Sequence, residues 1–381
     1  MTVITVRIAL LETTGQRCMT IRPKEPLASV DYYMVGISKL PGYDVPIKLS
    51  SNESALGMSR AALEAAQQAI NKSHLYPEVD TETLAEALAE RYQLDPARMA
   101  FGPGSDEILQ RVVNTFAGPG EELIHSKNAY MQFPIYAMLA GATPVAADDL
   151  DFRYDVDTIL SHLNPRTRIV LIANPDNPSG TYLPADEVRR LHAGLPRDVL
   201  LIIDAAYEEF ADQDDYESGT RLVHEFDNVI VTRTFSKVYG LAGLRLGWCY
   251  GPVEAIDTLT KIGPSFPVNC ASFAAGVAAI RDTDHVDTVL AHNRKWVAEF
   301  TRQLTAMGLK VYPSQTNFML VEFPSDTGKT AAQANTWLNQ HGIIPRQFAV
   351  EDFNNKLRFT VGEDAGMEKT IAVLAEFMSS H

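Results

Sequence analysis

From about residue 99 to 250 the chain alternates short apolar, β-branched runs with stretches whose apolar residues recur every three to four positions. This is the pattern of an α/β sheet with helices between its strands. The runs predict strands at 99–102, 122–126, 143–147, 168–173, 199–203, 229–233 and 246–250. Between the first two, Ile108, Leu109, Val112, Val113 and Phe116 fall on one face of a helix over 105–116, with Ser105 expected as its N-cap. Beyond about 290 the pattern changes to a long helix, strands near 309–312 and 318–323, a helix at 330–340, strands near 343–346 and 356–361, and a closing helix. A smaller α+β domain is expected there. The first 55 or so residues hold no strong period and carry Pro, Gly and Ser punctuation, so they are expected to wrap onto another part of the molecule or a partner. The expected boundaries are 1–55 for this arm, 56–265 for the large domain and 266–381 for the small one.

Composition narrows the function classes. With 381 residues and 46% hydrophobic positions the chain can bury a sizeable core, which argues against a minimal binding module. A net charge of −15 with no Lys/Arg cluster disfavours nucleic acid and anionic membrane surfaces as partners. No apolar stretch is long enough to span a bilayer, and the N-terminus lacks the continuous apolar core of a secretory signal. Three cysteines, Cys18, Cys249 and Cys270, neither pair as a disulfide framework nor show metal-ligand spacing, so a cytoplasmic location is expected. Nine scattered histidines offer no metal site and no Ser/His hydrolase arrangement.

Ligands of an open α/β sheet sit beyond the carboxyl ends of its strands, and those ends carry the chemistry. After 99–102 comes GPGSDE, whose Gly102 and Gly104 permit a tight turn before a helix N-terminus suited to an anion. After 168–173 comes the turn NPDNPSG; after VLLII come Asp204 and Tyr207; after 229–233 come Ser236 and Lys237. The link from there to strand 246–250 is too short for a parallel crossover, so that strand should run antiparallel and bring Arg245 back beside Lys237. A lysine, an aspartate, an asparagine, a tyrosine, a serine, an arginine and a helix N-terminus thus collect on one edge. Together they suit a phosphorylated, ring-containing electrophile that forms a Schiff base with lysine, pyridoxal 5′-phosphate.

NPDNPSG, the Asp204-Ala205-Ala206-Tyr207 segment and TFSKVYGLAGLRLGW resemble the fold-type-I, class-I/II aminotransferases, most closely the histidinol-phosphate aminotransferase branch. KLSSNES, HLYPEVD and KLRFTVG extend the likeness over roughly 28–375. The resemblance implies a mostly parallel seven-stranded sheet with one antiparallel strand, a smaller α+β domain, and transamination. It makes Lys237 the Schiff-base lysine and proton shuttle, Asp204 the partner of the ring nitrogen, and Asn177 and Tyr207 the partners of the ring oxygen. Ser236, Arg245, Ser105 and the backbone of Gly104 and Asp106 would hold the phosphate. Phe133 is the best placed of Tyr130, Phe133 and Tyr136 to stack on the ring. Arg358 would grip the substrate carboxylate, Arg346 a distal phosphate, and Tyr76 the cofactor phosphate of a neighbouring subunit in a homodimer. Tyr33 and Asn52 of KLSSNES are expected to line the substrate pocket. Two features depart from the family pattern: position 205 is Ala where Glu is common, and SNES lacks the usual proline.

The favoured reaction is transfer of an amino group from L-histidinol phosphate to 2-oxoglutarate. The competing readings are an aromatic amino acid aminotransferase, a decarboxylase of a phosphorylated amino acid that uses the same cofactor, and a non-enzymatic phosphate-ligand or regulatory binding protein.

Overall fold

The computed structural model describes residues 24–28, 30, 37–77, 82–325 and 328–379. Contacts divide the chain into Met1–Tyr32, whose described residues include the single turn Glu25–Ala28, and Tyr33–His381, which carries everything below.

Runs such as VLIA and VIV bury both faces, so they can serve only as interior strands of a sheet covered on two sides. They form the middle of a seven-stranded sheet made of β2 (Met99–Gly102), β3 (Glu122–Ser126), β4 (Thr143–Ala147), β5 (Thr167–Ala173), β6 (Leu200–Asp204), β7 (Val229–Thr234) and β8 (Gly247–Tyr250). Its order is β2-β8-β7-β6-β5-β3-β4, and every pairing is parallel except those of β8 with β7 and with β2. The short return from β7 leaves no room for a crossover and so requires this reversal. The register places Thr234 opposite Gly247.

A second sheet has five strands. Four come from the C-terminal part: β9 (Lys310–Val311), β10 (Phe318–Glu322), β11 (Ile343–Gln347) and β12 (Lys356–Thr360). The fifth, β1 (Ile47–Leu49), comes from the segment ahead of the large sheet and pairs parallel with Ile343–Pro345, giving the order β1-β11-β12-β10-β9. Its Leu49 is buried in the small core.

The boundary expected at 265 lies too early. Helix Cys270–Arg281 packs on helices Arg60–Ile70 and Glu82–Tyr92, and Val268, Ala271, Ala275, Ala279, Val286 and Val289 all belong to the large core. The long helix Thr283–Ala306 then crosses between cores: its first half offers Val286 and Val289 to the large one, its second half Trp296, Phe300 and Leu304 to the small one. A continuous apolar stripe does not reveal which core it meets, so sequence periodicity could not set this boundary.

No helix among the described residues is long and apolar enough to cross a membrane.

Candidate active site

A cleft of about 290 Å³ opens between the carboxyl ends of the large-sheet strands and the small sheet. Its floor is laid by the large sheet. β6 ends in Asp204, which is buried and accepts a hydrogen bond from Thr232 Oγ1 at 3.1 Å. Burial, reinforced by the nearby Asp106 carboxylate, pushes the Asp204 carboxyl up to about 7, against the pull of Thr232 and Lys237. A cation brought against this acid would return it to the charged form. Lys237 Nζ lies 5.4 Å from the centre of the Tyr207 ring and donates to the Asn52 carbonyl at 3.4 Å.

One end of the cleft is shaped by glycines. Gly104 takes φ +95°, a conformation open to glycine, and a Cβ there would lie 2.3 Å from the Arg245 guanidinium. A Cβ on Gly247 would lie 2.5 Å from the Gly104 carbonyl carbon and the Ser105 nitrogen. β8 thus presses directly against the start of helix Ser105–Phe116, and Arg245 reaches Ser236 Oγ at 3.4 Å. Gly104, and not Ser105, occupies the N-cap position. Ser105 is therefore the first residue of the helix. Asp106 accepts from the hydroxyls of Tyr130 at 3.2 Å and Tyr136 at 2.9 Å.

The opposite wall comes from the small sheet and the segment after β1. Arg346 and Arg358 are register partners on β11 and β12, each only 6% exposed. Both guanidinium carbons lie 5.5 Å from the centre of the Phe348 ring. Arg358 donates to the Ser50 carbonyl at 3.0 Å and to Asn177 Oδ1. Like charges on facing strand positions repel, so this pair favours an anionic ligand at its open side. Asn52 takes φ +56°, donates through its side chain to the Tyr207 hydroxyl at 2.8 Å, and accepts from Thr360 Oγ1 at 3.0 Å. Asn317 Nδ2 holds the Asn52 carbonyl at 3.1 Å.

A model of the family described as Aminotransferase class I and II matches residues 44–374. The chain belongs to this family. It is 44% identical over 362 residues to a protein of Maricaulis maris named histidinol-phosphate aminotransferase, covering 95% of this chain and 100% of that one. A protein of the same name from Paramagnetospirillum magneticum is 43% identical over 358 residues, covering 94% and 99%. Among solved structures, histidinol-phosphate aminotransferase from Sinorhizobium meliloti in complex with pyridoxal 5′-phosphate superposes with a TM-score of 0.84 at 29% identity, covering 94% of this chain and 97% of that one.

Of the residues singled out in this aminotransferase sequence, Asn52, Ser105, Asp106, Asn177, Asp204, Tyr207, Ser236, Lys237, Arg245, Arg346 and Arg358 line the one cleft. Phe133 does not. It opens helix Phe133–Ala140 and its ring is fully buried in the large core, whereas Tyr130, in the loop before that helix, faces the cleft and meets Phe133 edge-on at 5.7 Å. Of the two, the aromatic that the cleft presents is therefore Tyr130 and not Phe133: a side chain that starts a helix packed on the sheet turns inward, while the preceding loop stays at the strand ends. Tyr76 lies away from the cleft lining, 78% exposed and stacked on Phe266 at 4.3 Å. Tyr33 lies outside the described residues. Ala205 is buried in the core.

Sequence pattern alone does not single out Thr232, Asn317 or Thr360. Thr232 was within reach, because it precedes Thr234 by two positions and so shares a strand face with it. Nothing local marks Asn317 or Thr360, which matter only through their contacts with Asn52.

Proposed function

We propose that this chain is a pyridoxal 5′-phosphate-dependent aminotransferase that moves the amino group of L-histidinol phosphate to 2-oxoglutarate, giving imidazole acetol phosphate and glutamate. The observation that carries the substrate class is the pair of buried arginines on facing strand positions, opposite the lysine and aspartate of the floor. Names carried by relatives at 43–44% identity over nearly the whole chain support the same substrate.

The residues fit the cofactor. An amine, Lys237, stands beside a buried acid, Asp204, and the glycine-shaped gap at Gly104 lies between a helix N-terminus and Arg245. When bound, pyridoxal 5′-phosphate supplies a protonated ring that accommodates the electron pair left when the substrate C–H bond breaks. Lys237 is the amine that would hold the cofactor, and its Nζ would take up the proton released from the substrate α-carbon. Asp204 is the carboxylate that would keep the ring nitrogen protonated, and the Tyr207 hydroxyl and Asn177 amide would orient the ring oxygen. Ser105, Ser236, Arg245 and the Gly104–Asp106 backbone would anchor the phosphate at the helix N-terminus. Tyr130 would cover the ring.

Arg358 would take the carboxylate of glutamate. Histidinol phosphate has no carboxylate, so its phosphate would share Arg358 and add Arg346. One site can then serve both half-reactions. The exposed Tyr76–Phe266 stack is an apolar surface pair suited to a second copy of the chain. The working form is read as a cytoplasmic homodimer in which Tyr76 reaches the partner's site.

Half-reaction rates with histidinol phosphate, glutamate and phenylalanine test the proposal. Fast conversion of the first two is expected. Efficient turnover of phenylalanine with no reaction of histidinol phosphate would replace it with an aromatic aminotransferase.

A further inference from the structure

Beneath the cleft floor lies a buried charged network that touches neither the cofactor positions nor the substrate wall. Arg233, on β7 four residues before Lys237, is 1% exposed. Its two terminal nitrogens donate to Glu208 at 2.8 Å and Glu209 at 2.7 Å, the residues directly after Tyr207. Its guanidinium lies 4.6 Å from the Tyr92 ring centre and 5.3 Å from that of Trp248. Tyr92 donates its hydroxyl to Glu209 at 3.1 Å and meets the Tyr239 hydroxyl at 2.5 Å. A phenol has one proton to give, so Tyr239 must donate to Tyr92. The bonds therefore run in one direction, from Tyr239 through Tyr92 to Glu209, where they meet Arg233.

Both catalytic arms end in this network. Lys237 is bracketed by Arg233 and Tyr239, and Tyr207 is followed by Glu208 and Glu209. A buried arginine with two acids is a poor source of stability, since well-packed apolar residues of similar volume often do as well or better; a charged cluster kept in a core is better accounted for by the geometry it imposes.

We propose that Arg233 and Tyr239 are positioning residues, which through Glu208, Glu209 and Tyr92 fix the Tyr207 hydroxyl relative to Lys237 Nζ. Neither touches the reacting atoms. The role rests on the transaminase reading of Lys237 given above. Loss of the Tyr239 hydroxyl leaves the ring in place and removes the first bond of the chain. The turn that carries Lys237 is then free to move against Tyr207.

The test uses the cofactor-loaded full chain and the pH titration of its visible absorbance band. Tyr239→Phe should move the titration midpoint by about half a pH unit or more, as a changed polar environment of the lysine nitrogen requires. It should also lower kcat about three- to tenfold with KM for both substrates nearly unchanged. Arg233→Lys should retain more of the wild-type midpoint than Arg233→Met. If Arg233→Met fails to fold, Tyr239→Phe and Tyr92→Phe decide. A wild-type midpoint and kcat in both, with only a lower melting temperature, would overturn the proposal and leave a purely structural network. Absence of any visible band in the loaded wild type would instead overturn the transaminase reading, and the positioning role with it.

Discussion

On the large-sheet side of the cleft, Asp204, Tyr207, Ser236 and Lys237 sit at or just beyond strand ends, held by a sheet whose strands are buried on both faces. On the small-sheet side, Arg346 and Arg358 sit within strands, and Asn52 follows an edge strand borrowed from the far end of the chain. The floor offers one amine, one buried acid and a phosphate-sized helix terminus; the wall offers two guanidiniums over a single phenyl ring. In the proposed reading, fixed chemistry belongs to the large sheet, and choice of substrate to the smaller one. Side chains join them: Arg358 reaches Asn177, Asn52 reaches Tyr207, and Lys237 reaches the Asn52 carbonyl.

This division can be broken most severely at Lys237. Lys237→Ala should abolish multiple turnover for every amino donor, since it removes the attachment point and a proton carrier that alone contributes on the order of 10²–10⁴-fold. Steady-state assays with both substrates check this, and near-normal rates would contradict the assignment.

Arg245→Ala should weaken cofactor binding about 10- to 150-fold, the effect of removing a charge-assisted bond of roughly 1.5–3 kcal/mol. A cofactor titration measures it. Because Arg245 belongs to the floor, glutamate and histidinol phosphate should suffer alike once cofactor saturates.

The wall predicts the opposite behaviour. Arg346→Ala should lower kcat/KM for histidinol phosphate about tenfold more than for glutamate, a differential contact of ~1.4 kcal/mol. Equal losses would mean that the two walls do not divide the work as described.

The smallest effect concerns pH and the floor alone. The folded Asp204 carboxyl, at about 7, stands above its ordinary 3.8, so its ionisation opposes folding. The stability it contributes as the neutral acid is complete below about pH 4 and lost as pH rises through 7. Asp204→Asn should therefore raise the melting temperature of the cofactor-free protein at pH 8, by on the order of 3 °C, and change it less at pH 5. A thermal shift independent of pH would place the strain elsewhere.

Both groups of strands and the antiparallel return of β8 are legible in the amino-acid sequence itself, because period, β-branching and loop length are local quantities. Local spacing also singles out Asp204, Ser236, Lys237 and Arg245, since a residue at a strand end points to one edge whatever surrounds it. Tertiary structure alone decided that Tyr130 faces the cleft while Phe133 fills the core, because both are aromatic and the position of the helix start separates them. It alone paired β1 with β11, placed Arg346 opposite Arg358, and brought Asn317 and Thr360 to Asn52 across more than 260 residues. Likewise, nothing in TRTFSK marks Arg233 as buried between Glu208 and Glu209. Such contacts depend on register and packing between segments distant in sequence, and a pattern read along one segment carries no record of what lies against it.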